Sequence, residues 1–386
     1  MRPAIPFNKP YISEVAKKAL ITAIQGGEKL FNGEAAAFCE AWLRSKNNSP
    51  YALATSSCTA ALEVAAILCE LKPGDEVIMP SFTHVSTASA FHRVGATPVF
   101  VDIRSDTLNI NERLIEGAIS ERTRAIVAMH YAGISCEMDP LLELAKKYGV
   151  SLVEDAAHGI LCSYKGRSLG TIGNLGALSF HETKNVTGGG GGALFLSGKL
   201  LHQRAEAVCD YGTNRQAFLR GMVDQYQWTD EGSRYRMSPV TASLLSGQLD
   251  ATEVVTAQRL ILWRRYHAEF ADLEQAGFCR RPFEPSGCIH NGHIYYLLLH
   301  SKLERNAFLA HLLKRGVEAT AHYSPLHASP MGRRVGRVAG GSMPQTDSLS
   351  ARLVRLPLWP GLELAQDVVI ETVKGFFINK AIGQVR

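Results

Sequence analysis

Short runs of apolar residues alternate with amphipathic stretches through the first half of the chain. Between about residues 50 and 200 the apolar runs have the length of strands, and the segments between several of them show helical spacing. Strands that alternate with helices usually run parallel, with helices on both faces of the sheet. The pattern therefore predicts an α/β fold with helices at 59–69 and 140–147 and strands at 77–80, 99–102, 124–130, 151–155, 177–180 and 193–196.

The pattern changes in the second half of the chain. Residues 238–274 are helical in pattern and contain no apolar run of strand length, which marks a connector. Beyond it the sequence predicts a strand at 293–300 and helices at 305–315 and 365–378. We expect a large domain over residues 1–250 and a smaller α/β domain over residues 251–386. No low-complexity linker separates them, so they should pack tightly.

Composition narrows the class of protein. The chain has 386 residues, of which 46% are hydrophobic, and its net charge of +5 is spread along the sequence. It has no basic stripe with interleaved aromatic residues, and no apolar stretch of membrane-spanning length. The eight cysteines lack the spacing of a zinc site or a disulfide framework. We therefore expect a cytoplasmic protein that binds neither nucleic acid nor a membrane and has no metal site.

Two polar residues stand where predicted strands end. Asp155 closes the strand 151–155, and Lys184 follows the strand 177–180 and precedes five glycines at 188–192. Ligands of parallel α/β sheets bind at the carboxyl ends of the strands. A lysine and an aspartate at this edge are the groups that hold pyridoxal phosphate. The amine bonds to the cofactor aldehyde, and the carboxylate pairs with the pyridinium nitrogen.

Each of these residues also has an ordinary structural interpretation. Most lysines are solvated surface groups, but the apolar strands around Lys184 would desolvate the amine and lower its pKa, as nucleophilic attack requires. Asp155 could instead cap the helix that follows its strand. The five glycines could form a flexible loop, although their apolar flanks favour a tight turn close to a flat ligand.

Further candidates surround this pair. Hydroxyl groups and free amides at 55–62 open an alanine-rich helix, which suits a phosphate, although Ser57 could serve only as the helix cap. Ser179 is a second phosphate candidate. His84 is the side chain expected to stack on the cofactor ring. His158 could lie near the ring hydroxyl or be a histidine of the core.

With these residues assembled, the chain resembles the sugar-nucleotide aminotransferases of the DegT/DnrJ group, which share the fold type I of aspartate aminotransferase. The resemblance runs from segment 5–8 to the terminal helix. Its motifs are Ser-Cys-Thr-Ala-Ala-Leu at 57–62, Pro-Gly-Asp-Glu-Val-Ile-Met-Pro at 73–80, Glu-Asp-Ala-Ala-His at 154–158, Gly-Thr-Ile-Gly at 170–173, Ser-Phe-His-Glu-Thr-Lys-Asn at 179–185, Tyr-Gly-Thr-Asn-Arg at 211–215 and His-Tyr-Ser-Pro-Leu-His at 322–327.

The resemblance implies an activity and a set of site residues. It implies transfer of the amino group of glutamate to C4 of a dTDP-4-keto-6-deoxyhexose. Lys184 and Asp155 would be catalytic, together with His158. Other implied roles are phosphate binding by Ser57, Cys58 and Ser179, a contact of Asn214 with the neighbouring subunit's site in a homodimer, and sugar-nucleotide contacts by His322 and Tyr323.

Three positions depart from the family pattern. The ring-stacking position usually holds an aromatic residue where this chain has His84, and the glycine run 188–192 lacks the usual glutamate. Pro239 stands where aspartate is usual. Two other functions stay open: a sugar dehydratase of the same fold, in which histidine usually replaces Lys184, and a regulatory protein that binds the cofactor without catalysis.

Overall fold

The computed structural model describes residues 4–27, 30, 33–381 and 383. The strands are β1 (Tyr51–Thr55), β2 (Glu76–Pro80), β3 (Thr97–Val101), β4 (Thr123–Met129), β5 (Ser151–Asp155), β6 (Ser163–Tyr164), β7 (Arg167–Ser168), β8 (Leu175–Ser179), β9 (Gly192–Leu196), β10 (Cys288–Ile289), β11 (Tyr295–Leu298), β12 (Arg337–Val338) and β13 (Leu353–Leu356).

The helices surround these strands and connect most of them. They are α1 (Glu14–Gln25), α2 (Glu34–Asn47), α3 (Cys58–Leu68), α4 (Val85–Arg93), α5 (Glu112–Ile115), α6 (Met138–Tyr148), α7 (Lys199–Cys209), α8 (Arg215–Leu219), α9 (Pro239–Leu249), α10 (Thr252–Glu269), α11 (Ala271–Gln275), α12 (Lys302–Lys314), α13 (Pro330–Val335), α14 (Pro344–Arg352) and α15 (Gln366–Ala381). None of the helices within the described residues is both long and apolar enough to cross a membrane.

The central element of the fold is an eight-stranded sheet with strand order β1-β9-β8-β5-β4-β2-β3-β12. Neighbouring strands from β8 through β12 pair parallel, whereas β9 runs antiparallel to both β1 and β8. Because β1 and β8 both oppose β9, they point the same way as the other parallel strands. The prediction of an α/β fold with a mainly parallel sheet is confirmed.

Both faces of this sheet are buried, because successive side chains of a strand point to opposite sides. Ile78, Ile126 and Leu152 belong to the core on one face, and Val77 and Val153 belong to the core on the other. The strands therefore read as continuous apolar runs rather than as alternating ones. This double burial leaves the ends of the strands as the places where polar side chains can collect.

The C-terminal part of the chain builds a second core. The antiparallel pair β11 and β13 packs with α10, α12 and α15 around large apolar side chains such as Trp263 and Phe308. A smaller cluster that includes Phe82, Tyr131 and Tyr296 joins this part to the loops above the large sheet. Strand β12 also pairs with β3, so residues beyond 250 contribute to the large sheet. The division at residue 250 stays a prediction.

Two regions show how sequence patterns and structure differ. Strand β1 was not among the predicted strands, because its Tyr-Ala-Leu-Ala-Thr sequence contains alanines that disfavour strands in isolation. The predicted connector at 238–274 is α9, α10 and α11 in succession, and α9 packs against α1 and α2. Pro239 is the first residue of α9, where a proline is tolerated, and Ser238 caps that helix by accepting a bond from the Thr241 amide.

Candidate active site

A cavity of about 510 Å³ opens at the edge of the large sheet where β1, β5 and β8 end. Its volume is in the range of small-molecule sites. All of the site residues predicted from the sequence line it except Asn214. Those that line it are Ser57, Cys58, His84, Asp155, His158, Ser179, Lys184, His322 and Tyr323.

Lys184 projects into this cavity from the turn after β8. Its backbone amide donates to the carbonyl of His181, which closes the turn. Its Nζ has no hydrogen-bond or ion-pair partner among the described residues. Burial lowers the pKa of the amine to about 8, and this shift outweighs the opposite influence of Cys58 and Asp155. About a tenth of the amine is therefore neutral and nucleophilic at pH 7, far more than for a solvated lysine.

Asp155 ends β5 and is almost fully buried. Its Oδ1 accepts from the Ala157 amide at 3.2 Å, and its Oδ2 accepts from the Thr87 hydroxyl at 2.7 Å. Thr87 in turn forms a 2.7 Å hydrogen bond with Thr83, which lies just before the N-cap of α4. The carboxylate is thus held in one orientation at the cavity wall without a cationic partner in contact. Sequence reasoning missed Thr87, whose contact with Asp155 joins residues 68 positions apart.

The start of α3 forms the candidate phosphate site. Ser57 is the N-cap, and its Oγ accepts from the Ala60 amide at 3.0 Å. The glycine run packs directly on this turn: a Cβ on Gly192 would lie 2.4 Å from the Cys58 amide nitrogen. Gly191 has a φ of 96°, which favours glycine. The run is therefore a packed turn that supports the helix start, and Ser179 lines the same cavity from the end of β8.

His158 lines the cavity and is almost fully buried. Its Nδ1 accepts from the Ala132 amide at 3.2 Å, and its ring lies 4.4 Å from that of His293. His293 is fixed by a 2.8 Å hydrogen bond to Asn185. Burial holds the pKa values of both imidazoles well below their usual range, with Lys184 lowering them further. Both rings are therefore neutral.

The opposite wall comes from the C-terminal part of the chain. The rings of His322 and Tyr323 are stacked at 3.8 Å, and the Tyr131 ring lies close to both. His322 Nε2 accepts from the Arg355 guanidinium at 2.8 Å, which requires a neutral imidazole. Burial and the Arg355 charge lower the pKa of His322 to about 2. This wall is therefore aromatic and neutral apart from Arg355.

Arg355 is the other site residue that sequence reasoning missed. It belongs to β13, lines the cavity and lies over the ring of Phe7 at 4.8 Å. Its Nε is buried without a hydrogen-bond partner, and no described carboxylate pairs with it. A buried charge without a counter-ion is costly, so its presence suits an anionic ligand. The lone arginine in the apolar strand Leu-Val-Arg-Leu was the signal available in the sequence.

Asn214 lies away from this chain's own cavity. Its side chain holds the segment that follows α8, donating to the Gln225 carbonyl at 2.9 Å and accepting from the Gln227 amide at 2.8 Å. Several large apolar side chains near this segment are exposed. They are Tyr211, Phe218, Leu219, Met222, Tyr226 and Trp228.

The residues present fit pyridoxal phosphate. The amine of Lys184 is unpartnered, the Asp155 carboxylate lacks a cation in contact, and the α3 start with its glycine support offers amides and hydroxyls to a phosphate. An aldehyde, a ring nitrogen and a phosphate are the three groups that these features complement. The roles of the individual residues stay predictions.

Comparison with known proteins agrees with this fit. A curated relative, Uncharacterized protein MJ1066 of Methanocaldococcus jannaschii, is 33% identical over 353 residues, which are 90% of each chain. The structure is similar to that of the putative sugar aminotransferase Spr1654 from Streptococcus pneumoniae in its PMP-form, with a TM-score of 0.87, 27% identity and coverage of 96% of this chain and 98% of that one.

A second solved structure, an aminotransferase from Psychrobacter cryohalolentis, gives a TM-score of 0.89 at 27% identity, covering 97% of this chain and 99% of the other. A sequence model of the DegT/DnrJ/EryC1/StrS aminotransferase family matches residues 10–374. These matches confirm the predicted fold type and the prediction of pyridoxal phosphate as the cofactor. The chain belongs to the DegT/DnrJ/EryC1/StrS aminotransferase family.

Proposed function

We propose that this aminotransferase moves the amino group of glutamate to C4 of a dTDP-4-keto-6-deoxyhexose and yields the 4-amino sugar nucleotide, with the galacto configuration at C4. The proposal depends on one observation: a single cavity holds a lysine amine without a partner, a fixed carboxylate, and a guanidinium that has no carboxylate partner among the described residues. The retained Lys184 disfavours the dehydratase alternative. The resemblance of the motifs supports the choice of the nucleotide sugar.

The reaction divides into two half-reactions that use the same residues. When bound, the cofactor supplies an aldehyde that accepts the amino group and a ring that withdraws electrons. Asp155 would keep the ring nitrogen protonated, which would strengthen that withdrawal. Lys184, as a neutral amine, would take the proton from the α-carbon of the donor and deliver it to C4′, the carbon that carries the cofactor aldehyde. In the second half-reaction it moves the proton in the opposite direction, onto C4 of the sugar.

Arg355 supports glutamate as the donor. A guanidinium forms two parallel hydrogen bonds with a carboxylate, and this one is buried without such a partner. Its position in the wall that faces Lys184 would orient the α-carboxylate of an amino acid beside the amine. His322 already occupies one nitrogen of the guanidinium as a neutral acceptor, so it would fix the arginine without competing for its charge.

The substrate side of the cavity is the aromatic wall formed by His322 and Tyr323. Stacked rings bind the apolar face of a sugar or a base and exclude water from the reacting carbon. We further propose a homodimer in which Asn214 of each chain contacts the partner's cavity. The apolar side chains exposed around Asn214 support this assignment, because contiguous apolar surface usually marks an interface.

The proposal is tested by incubating the purified holoenzyme with glutamate and a panel of nucleotide-linked 4-keto sugars. We expect 2-oxoglutarate and an aminated dTDP sugar, identified by its mass, with the C4 configuration read by NMR. The Lys184→Ala variant should fold normally, lose the visible absorbance of the covalently held cofactor and lose turnover. Persistent absorbance of the wild type after glutamate is added, or near-normal turnover of Lys184→Ala, would refute the assignment.

A further inference from the structure

Two histidines stand at the open rim of the active-site cavity. Among the residues that line it, only Ser56, His84 and His181 are exposed. His84 is the N-cap of α4, after β2, and His181 follows β8. The two imidazoles therefore reach the same opening from different strands of the sheet.

Both imidazoles are held by the same local arrangement. The Nδ1 of His84 accepts from the Ser86 amide at 3.2 Å and lies 2.8 Å from the Ser86 hydroxyl. The Nδ1 of His181 accepts from the Thr183 amide at 3.4 Å and lies 3.1 Å from the Thr183 hydroxyl. An Nδ1 that accepts an N–H bond carries no proton, so each neutral ring has its proton on Nε2. Neither Nε2 has a partner among the described residues.

The rim presents neutral N–H donors, and a single carboxylate lines the cavity, which suits an anion. Burial lowers the pKa of His84, Lys184 and His181 lower it further, and Asp155 acts in the opposite direction. Asp155 is the one carboxylate among the residues that line the cavity. The start of α3 is the candidate site for the cofactor phosphate, and Arg355 is the candidate site for the carboxylate of the amino donor. The two Nε2–H groups at the rim remain without an acceptor.

We propose that His84 and His181 together bind the diphosphate of the nucleotide sugar, each donating its Nε2–H to a phosphate oxygen. This inference rests on the proposed function, which requires a substrate whose sugar enters the cavity and whose diphosphate stays near the opening. Hydrogen bonds to ionised phosphate are stronger than those between neutral groups. The face of the His84 ring stays free for the predicted contact with the cofactor, because only the edge of the ring is used.

The test measures binding of dTDP to the holoenzyme by calorimetry, with UDP and GDP in parallel and with thymidine as the ligand that lacks phosphate. His84→Phe and His181→Phe should each weaken dTDP binding by about tenfold, the loss of one hydrogen bond to a charged group. His84→Gln and His181→Gln keep an N–H donor and should recover most of the affinity. His300→Phe removes an exposed histidine outside the cavity, so it is the matched control and should bind dTDP as the wild type does.

Two results would overturn the inference. One is unchanged dTDP affinity in both phenylalanine variants. The other is a loss of pyridoxal phosphate from these variants, measured by absorbance after gel filtration, with dTDP affinity unchanged, which would place the histidines at the cofactor phosphate. A wild-type holoenzyme that binds no nucleoside diphosphate and aminates no nucleotide sugar would instead refute the proposed function.

Discussion

At the scale of single residues, Lys184 shows how the fold prepares one side chain for chemistry. The turn after β8 places its amine in a cavity wall that shields it from water, and none of the described carboxylates touches it. Desolvation disfavours the charged form of the amine, so its pKa falls. The same surroundings that make the lysine unfavourable as a cation make it useful as a nucleophile.

The first prediction concerns the pH dependence of cofactor attachment. Because the pKa of Lys184 is lowered to about 8, the fraction of neutral amine rises with pH and is nearly complete about one unit above that value. The rate at which apoenzyme forms its covalent bond to added pyridoxal phosphate, followed by absorbance, should rise with a midpoint near this pKa. A midpoint near the usual lysine value would show that the amine is solvated.

The second prediction concerns Thr87, whose hydroxyl donates to Asp155. Thr87→Val keeps the shape of the side chain and removes the donor, so a buried carboxylate oxygen loses its partner at a cost of about 1–3 kcal/mol. We expect lower stability of the apoenzyme and about tenfold slower bleaching of the holoenzyme by glutamate. Thr87→Ser keeps the hydroxyl and should behave like the wild type in both measurements. Unchanged rates in Thr87→Val would show that Asp155 needs no such support.

The third prediction concerns Arg355 and the amino donor. Arg355→Gln removes the charge, and Arg355→Lys keeps the charge but loses the forked geometry that matches a carboxylate. The glutamate concentration that half-saturates bleaching should rise by about tenfold or more in Arg355→Gln and less in Arg355→Lys. Equal half-saturation in all three proteins would exclude Arg355 as the carboxylate site.

Sequence patterns identified the site residues that directly follow or end a strand. Lys184 and Asp155 were found because each follows an apolar run, and parallel strands bring such ends together. Thr87 and Arg355 were missed because their roles depend on pairs far apart in sequence. Thr87 of α4 reaches the end of β5, and Arg355 of β13 bonds to His322 but has no carboxylate partner among the described residues. The sequence around Arg355 does not reveal that the folded chain places no carboxylate beside it among the described residues.

At the scale of elements, the glycine run shows why a turn can need several glycines for different reasons. Gly189 and Gly191 have positive φ values, whereas Gly192 is restricted by the close approach of the Ser57–Cys58 backbone. Gly190 has neither restriction, since a Cβ there would meet nothing within 4 Å. The sequence predicted a tight turn from the apolar flanks, but it could not separate these reasons, because they depend on the φ values of the folded turn and on its contact with the start of α3.

The fourth prediction compares two glycines of this run. In Gly192→Ala the added methyl group would lie 2.4 Å from the Cys58 amide nitrogen, so the start of α3 must shift. We expect a loss of about 2–4 kcal/mol in the free energy of unfolding and weaker binding of pyridoxal phosphate. Gly190→Ala is the matched control and should keep both stability and cofactor affinity. Equal behaviour of the two variants would show that the turn relaxes freely.

At the scale of the whole molecule, the C-terminal part of the chain completes a site that the large sheet begins. The sheet supplies the ends of β5 and β8, while His322, Tyr323 and Arg355 come from beyond residue 300. The apolar cluster around Tyr131 and Tyr296 joins the two parts beside the cavity. Asn214 lies outside this cavity and holds the segment after α8 in its own chain, and the proposed dimer would also place it at the partner's cavity.

The last prediction tests whether subunits share their sites. Lys184→Ala and Asn214→Ala should each be inactive alone if both residues are required. When the two variants are unfolded and refolded together, half of the dimers should be mixed, and each mixed dimer has one site with both residues intact. Turnover should therefore recover to about one quarter of the wild-type value, because symmetric dimers place the same two contacts in each site.

Refolding each variant alone is the control. No recovery in a mixture that sediments as dimers would place Asn214 outside the partner's site, since its effect would then be confined to its own chain.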